Sequence, residues 1–237
     1  KEKGTLPANG VVAKSLVSTR MADAICTRFG VACKDVPTGF RFISEIIDEC
    51  ERTGKQTFLF GFEESYGFLS GSFSRDKDAI CAAMLVAEAC VYYKQKGMTL
   101  YDVLCSMYHT YGYYKETVKS YTLAGKEGIA RIHGAMAALR ADCPGAFGGV
   151  AVETWEDLLP GVCTHMADGA QEPASIQGID VLRYSLAGGA WICVRPSGTE
   201  PKLKLYIGAN APDEAEVDAL LRKLAADANT LLSRLLG

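Results

Sequence analysis

The sequence predicts two domains in tandem: an α/β domain with a mixed sheet and helices packed on it, then a smaller α+β domain with an antiparallel sheet. Three observations carry this. Apolar, β-branched runs alternate with helical periods through the first half of the chain. The pattern then breaks near Tyr111–Lys115 and restarts with a new alternating strand. Beyond the break, short strands separated by glycines precede a closing amphipathic helix. These place the domains at residues 1–113 and 114–237.

The elements follow in order. Val11–Ser18 is an apolar run and reads as a strand. Met21–Phe29 reads as a short helix stopped by Gly30. Val36-Pro37-Thr38-Gly39 is a turn, and after it Phe42, Ile43, Ile46 and Ile47 share a helical face. Thr57–Phe60 is a strand that runs into Gly61-Phe62-Glu63-Glu64-Ser65-Tyr66-Gly67 and then a Gly/Ser-rich loop. Asp78 opens a long helix in which Ile80, Ala83, Met84, Ala87, Cys90 and Val91 keep the period, and Thr99–Tyr108 is a second helix.

In the second domain Thr117–Leu123 alternates as a strand. Glu127–Leu139 is a helix with Ile129, Ile132, Met136 and Leu139 on one face. Asp142–Gly178 is rich in Gly, Pro and Ala and reads as loops. Val181–Leu186 and Ala190–Val194 read as strands joined at Gly188-Gly189, and Lys202–Ile207 as a further strand. The last helix, from Asp213 to Leu236, carries the stripe Val217, Leu220, Leu221, Leu224, Ala228, Leu231 and Leu235.

Composition excludes several classes. The chain has 237 residues, 28 acidic against 25 basic, for a net charge of -3. A protein that binds nucleic acid through phosphates shows a basic excess, and this one does not. No apolar stretch is long enough to cross a bilayer, so no membrane partner is expected. Nine cysteines, odd in number and irregular in spacing, read as buried free thiols of a reducing cytoplasm. The three histidines are scattered and none stands near a cysteine pair, so no metal site is expected.

Three segments have the composition of a binding site. Arg195-Pro196-Ser197-Gly198-Thr199-Glu200-Pro201-Lys202 lies between two apolar strands, where a plain hairpin needs only about two to five residues. It holds a guanidinium fork, two hydroxyls and a glycine whose N–H can approach an oxyanion closely. Read otherwise, it is a polar loop with an Arg–Glu ion pair. Gly61–Gly67 puts two carboxylates and a hydroxyl just past a buried strand, where α/β sheets place ligand groups. Carboxylates there accept bonds from sugar hydroxyls, act as an acid/base pair or bind metal. In Arg75-Asp76-Lys77-Asp78, either a cation meets a phosphate or the four charges neutralise one another around a helix cap.

Thr38-Gly39-Phe40, GFEESYG, Ser74-Arg75-Asp76-Lys77-Asp78 and RPSGTEPK, in this order, resemble the α-D-phosphohexomutases, the phosphoglucomutase/phosphomannomutase family, and most closely its bacterial phosphoglucomutase-like members. The resemblance spans the whole chain and implies the third and fourth of four domains. It implies that Glu63, Glu64 and Ser65 bind sugar hydroxyls, with Lys77 beside the cleft and Thr38 and Gly39 in its wall. It implies that Arg195, Ser197, Gly198 and Thr199 hold the phosphate that is not transferred. The family's phosphoserine loop and aspartate-rich magnesium loop have no counterpart in these residues, so no catalytic or metal-binding residue is expected here. The chain begins at Lys1 and not Met, which fits a piece of a longer polypeptide.

The parent implied by the resemblance is a cytoplasmic isomerase that interconverts hexose 1-phosphate and hexose 6-phosphate. It would need Mg2+ and a hexose 1,6-bisphosphate, and its N-terminal domains would be this chain's partners. The GFEES form points to glucose over mannose. A phosphomannomutase, phosphopentomutase or glucose-1,6-bisphosphate synthase parent, or a non-catalytic sugar-phosphate-binding protein, stays open.

Overall fold

A computed structural model describes residues 4–198 and 200–237; Thr199, expected as a phosphate ligand, lies outside the described residues. The chain divides into two compact units, residues 1–112 and 113–237.

The first unit contains β1 (Gly10–Ser15), α1 (Met21–Phe29), β2 (Ala32–Val36), α2 (Phe40–Thr53), β3 (Thr57–Glu63), β4 (Gly67–Ser70), α3 (Ala79–Gln95) and α4 (Leu100–Tyr111). Its sheet has the order β2-β1-β3-β4. β2 and β3 both run parallel to β1, and β4 returns antiparallel to β3. The carboxyl ends of the three parallel strands therefore share one edge. Helix α1 stops as expected at Gly30, whose φ of 69° lets its N–H reach the carbonyls of Cys26 and Thr27.

The apolar face of α2 buries Phe40, Ile43, Ile47 and Cys50 in one core with Val11, Ala13, Val36, Phe58 and Leu69. Each large aliphatic side chain there stabilises the unit by about 1.5–3 kcal/mol. Gly61 sits where any Cβ would collide with Ile43 and Phe58, so β3 and α2 approach closely only because that side chain is missing.

Two expectations fail in this unit. The Gly/Ser-rich stretch after Tyr66 begins with a true strand, β4, which buries Leu69 and leaves Phe68 exposed. Helix α3 is capped as expected, with the Asp78 carboxylate accepting from the N–H groups of Ile80 and Cys81. Its periodic apolar residues, however, are not a core face. None of its residues is buried, and Ile80 is 77% and Met84 68% exposed. The helix packs on the edge strand β4 and on α4, which cover little of it.

The second unit contains β5 (Tyr113–Thr122), α5 (Gly125–Ala141), β6 (Ala146–Phe147), β7 (Val150–Asp157), β8 (Val162–His165), β9 (Gln171–Pro173), β10 (Leu182–Leu186), β11 (Trp191–Pro196), β12 (Lys202–Ala211) and α6 (Glu214–Leu236). A short 3₁₀ turn at Ala187–Gly189 joins β10 to β11. The sheet is antiparallel with the order β5-β12-β11-β10-β7-β8-β9, and β6 pairs with β7 off this path. Thus Asp142–Gly178, expected as loops, holds four strands. They are short, and glycines and prolines interrupt them.

Alternation sends Leu182, Tyr184, Leu186, Ile192, Val194, Leu203, Leu205 and Ile207 into a core with Ile132, Met136 and Leu139 of α5 and Val217, Leu224 and Ala228 of α6. The Asp213 carboxylate caps α6 at Glu216 N–H. Arg140 of α5 ties the helix to the sheet through Asp157 at 2.8 and 3.2 Å and Asp180 at 2.6 Å.

Among the described residues no helix is long and apolar enough to cross a membrane. The cysteines are free thiols, but fewer are buried than expected: Cys26, Cys50, Cys163 and Cys193 are, while Cys90 is exposed on α3.

Candidate functional site

In the first unit the candidate residues gather at the carboxyl edge of the parallel strands. β3 ends in Glu63, and Thr38-Gly39 follow the end of β2. Glu63 is only 6% exposed, and Lys77 Nζ reaches its Oε1 from the start of α3. That hydrogen bond raises the Lys77 pKa above the ordinary lysine value. Gly67 makes room for the pair, since a Cβ there would stand 2.8 Å from Glu63 Oε1 and 3.0 Å from Lys77 Cδ.

Glu64 points the other way. Its Oε2 accepts from Ser15 Oγ at 2.6 Å, and Ser15 Oγ lies 2.8 Å from Ser18 Oγ. Both serines are buried, at 1% and 3% exposure. Ser65 and Tyr66 stand exposed at the tip of the turn into β4. Tyr66 has φ of 64°, a left-handed conformation costly for a residue with a Cβ, and such outliers cluster at binding loops. Gly39 takes φ of 118° at the N-cap of α2, a value that glycine alone adopts readily.

Sequence reasoning missed Ser15 and Ser18, which lie far from Glu64 in the chain. It also missed Lys14, 1% exposed, whose Nζ lies 2.6 Å from Asp35 and 3.2 Å from Asp23. The available signal was a lysine and two serines inside and just after an apolar strand run. Arg75, considered as a phosphate ligand, is committed elsewhere: its guanidinium binds Asp48 at 2.6 Å, and also Glu51, both on α2. Only Asp78 of that segment caps the helix. Its neighbours do not neutralise one another, because Arg75 and Lys77 take acids from α2 and β3.

In the second unit the segment that starts at Arg195 links β11 to β12. Ser197 N–H donates to Lys202 carbonyl at 2.8 Å, and Lys202 Nζ meets Glu200 at 3.0 Å. The alternative reading of this loop paired Arg195 with an acid; the acid instead goes to Lys202. Arg195 is half-buried and stands directly opposite Lys204 in the ladder. Alternation puts both side chains on the face away from the helices.

Among the described residues no carboxylate pairs with Arg195 or Lys204. Arg75, Arg140 and Arg183 all differ, each being bound to acids. Like charges placed opposite each other in a sheet repel. Arg195 and Lys204 therefore form a positive edge that the fold leaves uncompensated. Ser197 and Gly198 continue directly from it.

Glu63 and Glu64 each have one oxygen engaged, by Lys77 and by Ser15.

Comparison with known proteins matches both units to one family. Residues 1–111 match the phosphoglucomutase/phosphomannomutase alpha/beta/alpha domain III, and residues 156–226 match the C-terminal domain of the same family. The phosphoglucomutase of Staphylococcus haemolyticus is 34% identical over 216 residues, which are 91% of this chain and 39% of that protein. The phosphoglucomutase of Staphylococcus aureus strain N315 is 36% identical over 204 residues, 86% of this chain and 36% of that protein. The chain thus spans well under half the length of these curated relatives.

Two solved structures share the fold. Parafusin of Paramecium, a phosphoglucomutase in its open form, aligns with TM-score 0.63 at 14% identity over 94% of this chain and 38% of its own. A phosphoglucomutase/phosphomannomutase family protein of Burkholderia thailandensis aligns with TM-score 0.53 at 17% identity over 97% of this chain and 38% of its own. With both units matched in order, the chain belongs to the phosphoglucomutase/phosphomannomutase family and comprises its domain III and C-terminal domain.

Proposed function

We propose that the chain is the sugar- and phosphate-holding part of a phosphohexomutase that interconverts hexose 1-phosphate and hexose 6-phosphate through a bisphosphate. The observation that carries this is the uncompensated pair Arg195 and Lys204 beside Ser197 and Gly198. A dianionic phosphate is what such an edge accepts. Arg195 donates two parallel N–H bonds, Lys204 adds a point charge, and the loop adds neutral donors. Thr199 belongs to the same proposed set.

Glu63, Glu64 and Ser65, with Lys77, Thr38 and Gly39, meet the sugar hydroxyls. Glu63 and Glu64 are held by Lys77 and Ser15, so their accepting oxygens need little ordering when substrate arrives. Such positioning is most of what a protein contributes to phosphoryl transfer.

The phosphoryl donor and the magnesium loop lie outside these residues on this reading, in N-terminal domains of the same polypeptide. The enzyme is cytoplasmic, in keeping with its free thiols. Mg2+ supplies charge neutralisation at the transferred phosphoryl group when bound. No residue here is assigned to it. The chain alone is therefore inactive: a coupled assay with Mg2+ and hexose 1,6-bisphosphate is expected to show no turnover above blank.

The test of the binding role is calorimetric. Hexose 6-phosphate should bind the chain while the unphosphorylated hexose does not. Arg195→Ala should weaken binding by about 10- to 150-fold, the 1.5–3 kcal/mol of charge-assisted bonds. Binding within twofold of wild type in Arg195→Ala would refute the assignment.

A further inference from the structure

The hairpin of β8 and β9, which contains none of the candidate sugar- or phosphate-binding residues, carries a separate cluster of ligand-bearing side chains. Cys163 and His165 lie two apart on β8 and so share a face. Glu172 of β9 is the direct cross-strand partner of Cys163. The thiol, the imidazole and the carboxylate each offer one atom, and these atoms lie within 4.8 Å of one another. His165 Nε2 already stands 3.2 Å from Glu172 Oε1.

We propose that Cys163, His165 and Glu172 bind one divalent cation of the zinc class, with water as the fourth ligand. Zinc bonds of about 2.0–2.3 Å at tetrahedral angles separate ligand atoms by roughly 3.3–3.8 Å. The His–Glu pair, at 3.2 Å, is close to that spacing, and the thiol, within 4.8 Å of both, has at most roughly 1–1.5 Å to close. The donor set of one sulfur, one nitrogen and one oxygen suits zinc or cobalt and not magnesium or calcium, which take oxygen alone.

Access differs across the three. Cys163 is buried at the base, while the His165 and Glu172 side chains are 43% and 61% exposed, so an ion and its water enter from the open side. Scanning the chain for paired cysteines misses this arrangement, because the third ligand comes from across the hairpin and not from a CxxC motif.

Burial above all, then Glu156 and Glu172, raise the Cys163 pKa, against Arg183 and the Thr154 hydroxyl, which lower it. A bound cation displaces the thiol proton to solvent as the S–metal bond forms. The bound ion clips β8 to β9 at the sheet edge and gives the hairpin a cross-link that hydrogen bonds alone do not.

The experiment titrates Zn2+ into the reduced full chain against a chromophoric chelator, with Co2+ in parallel. The wild type should take up one ion that depends on this hairpin, and the Co2+ form should show a thiolate charge-transfer band in the near ultraviolet. His165→Ala, at an exposed position that leaves the core untouched, should lose about 100-fold in Zn2+ affinity, at least the scale of changes made one shell further out. Cys163→Ser should abolish the Co2+ band, Glu172→Gln should cost about tenfold, and His133→Ala should change nothing. The proposal is overturned if His165→Ala and Cys163→Ser bind Zn2+ with the stoichiometry and affinity of the wild type, or if the wild type takes up no ion that these variants lose.

Discussion

The candidate segments of the two units are built on opposite electrostatic plans. At the end of β3 each acid already has a partner, with Lys77 on Glu63 and Ser15 on Glu64. At the end of β11 two cations face each other with no acid among the described residues. The first arrangement stabilises the fold and presents its remaining oxygens in fixed positions. The second opposes the fold slightly and makes sense when an anion completes it. A carboxylate that reads neutral hydroxyls needs orientation, whereas a group that holds a dianion needs unspent charge. The same distinction separates Arg195 from Arg140, whose acids Asp157 and Asp180 make it part of the scaffold.

If this contrast is right, removing a charge should have opposite effects on stability in the two units. The largest effect is expected for Lys77→Met. It leaves a carboxylate that is 6% exposed without its counter-ion. Breaking a buried pair costs about 3–5 kcal/mol, and the half-exposed lysine brings the expectation down to about 2 kcal/mol. Hydrogen exchange of the β3 amides reads this in the first unit alone.

The wild-type pair has its own signature at alkaline pH. Because the folded state raises the Lys77 pKa, its contribution is complete below the unfolded value, about 10.4, and disappears as pH rises through the folded pKa. Lys77→Met should lack that alkaline loss. A smaller effect is expected for Ser15→Ala, which removes the donor to Glu64 Oε2 and should destabilise by about 1 kcal/mol. Ser15→Thr should restore most of it, and no restoration would mean that packing and not the hydrogen bond was lost.

The smallest effect has the opposite sign. Lys204→Met should leave stability unchanged or raise it by about 0.5 kcal/mol, because it relieves repulsion across the ladder. Urea unfolding followed through the second unit measures it, and a clear destabilisation would erase the contrast.

Much of this was legible in the residues. RPSGTEPK sits between two strands as the chain order put it, and Glu63–Ser65 lies at a strand end, although β3 runs on through Glu63 and not only to Phe60. Gly30 and Asp78 cap the helices they were expected to end and open, and Asp213, expected in the first turn of the last helix, is its N-cap. Local chemistry sets these features, so a local reading finds them. Ser15 and Ser18 were not found because a hydrogen bond across 49 residues leaves no trace in periodicity. The strands β6 to β9 were missed because each is short and broken by turns, although Val150–Asp157 alternates when read alone. Helix α3 misled in the other direction: its apolar residues predicted burial, but burial depends on what the tertiary fold lays against a helix, and here only an edge strand and α4 do so. In α6 the expected stripe is rotated slightly, with Leu232 and Leu236 buried where Leu231 and Leu235 were expected.

On the proposed function, Arg195 and Lys204 are held together for a phosphate and not for the fold. The substitution Arg195→Glu tests it most directly, because it converts a repulsive cross-strand pair into an attractive one. The measurement is urea unfolding of the chain with and without hexose 6-phosphate. The account predicts that Arg195→Glu is more stable than wild type by about 0.5 kcal/mol without ligand and gains nothing from adding it. A variant that is less stable than wild type yet still stabilised by the sugar phosphate would contradict it.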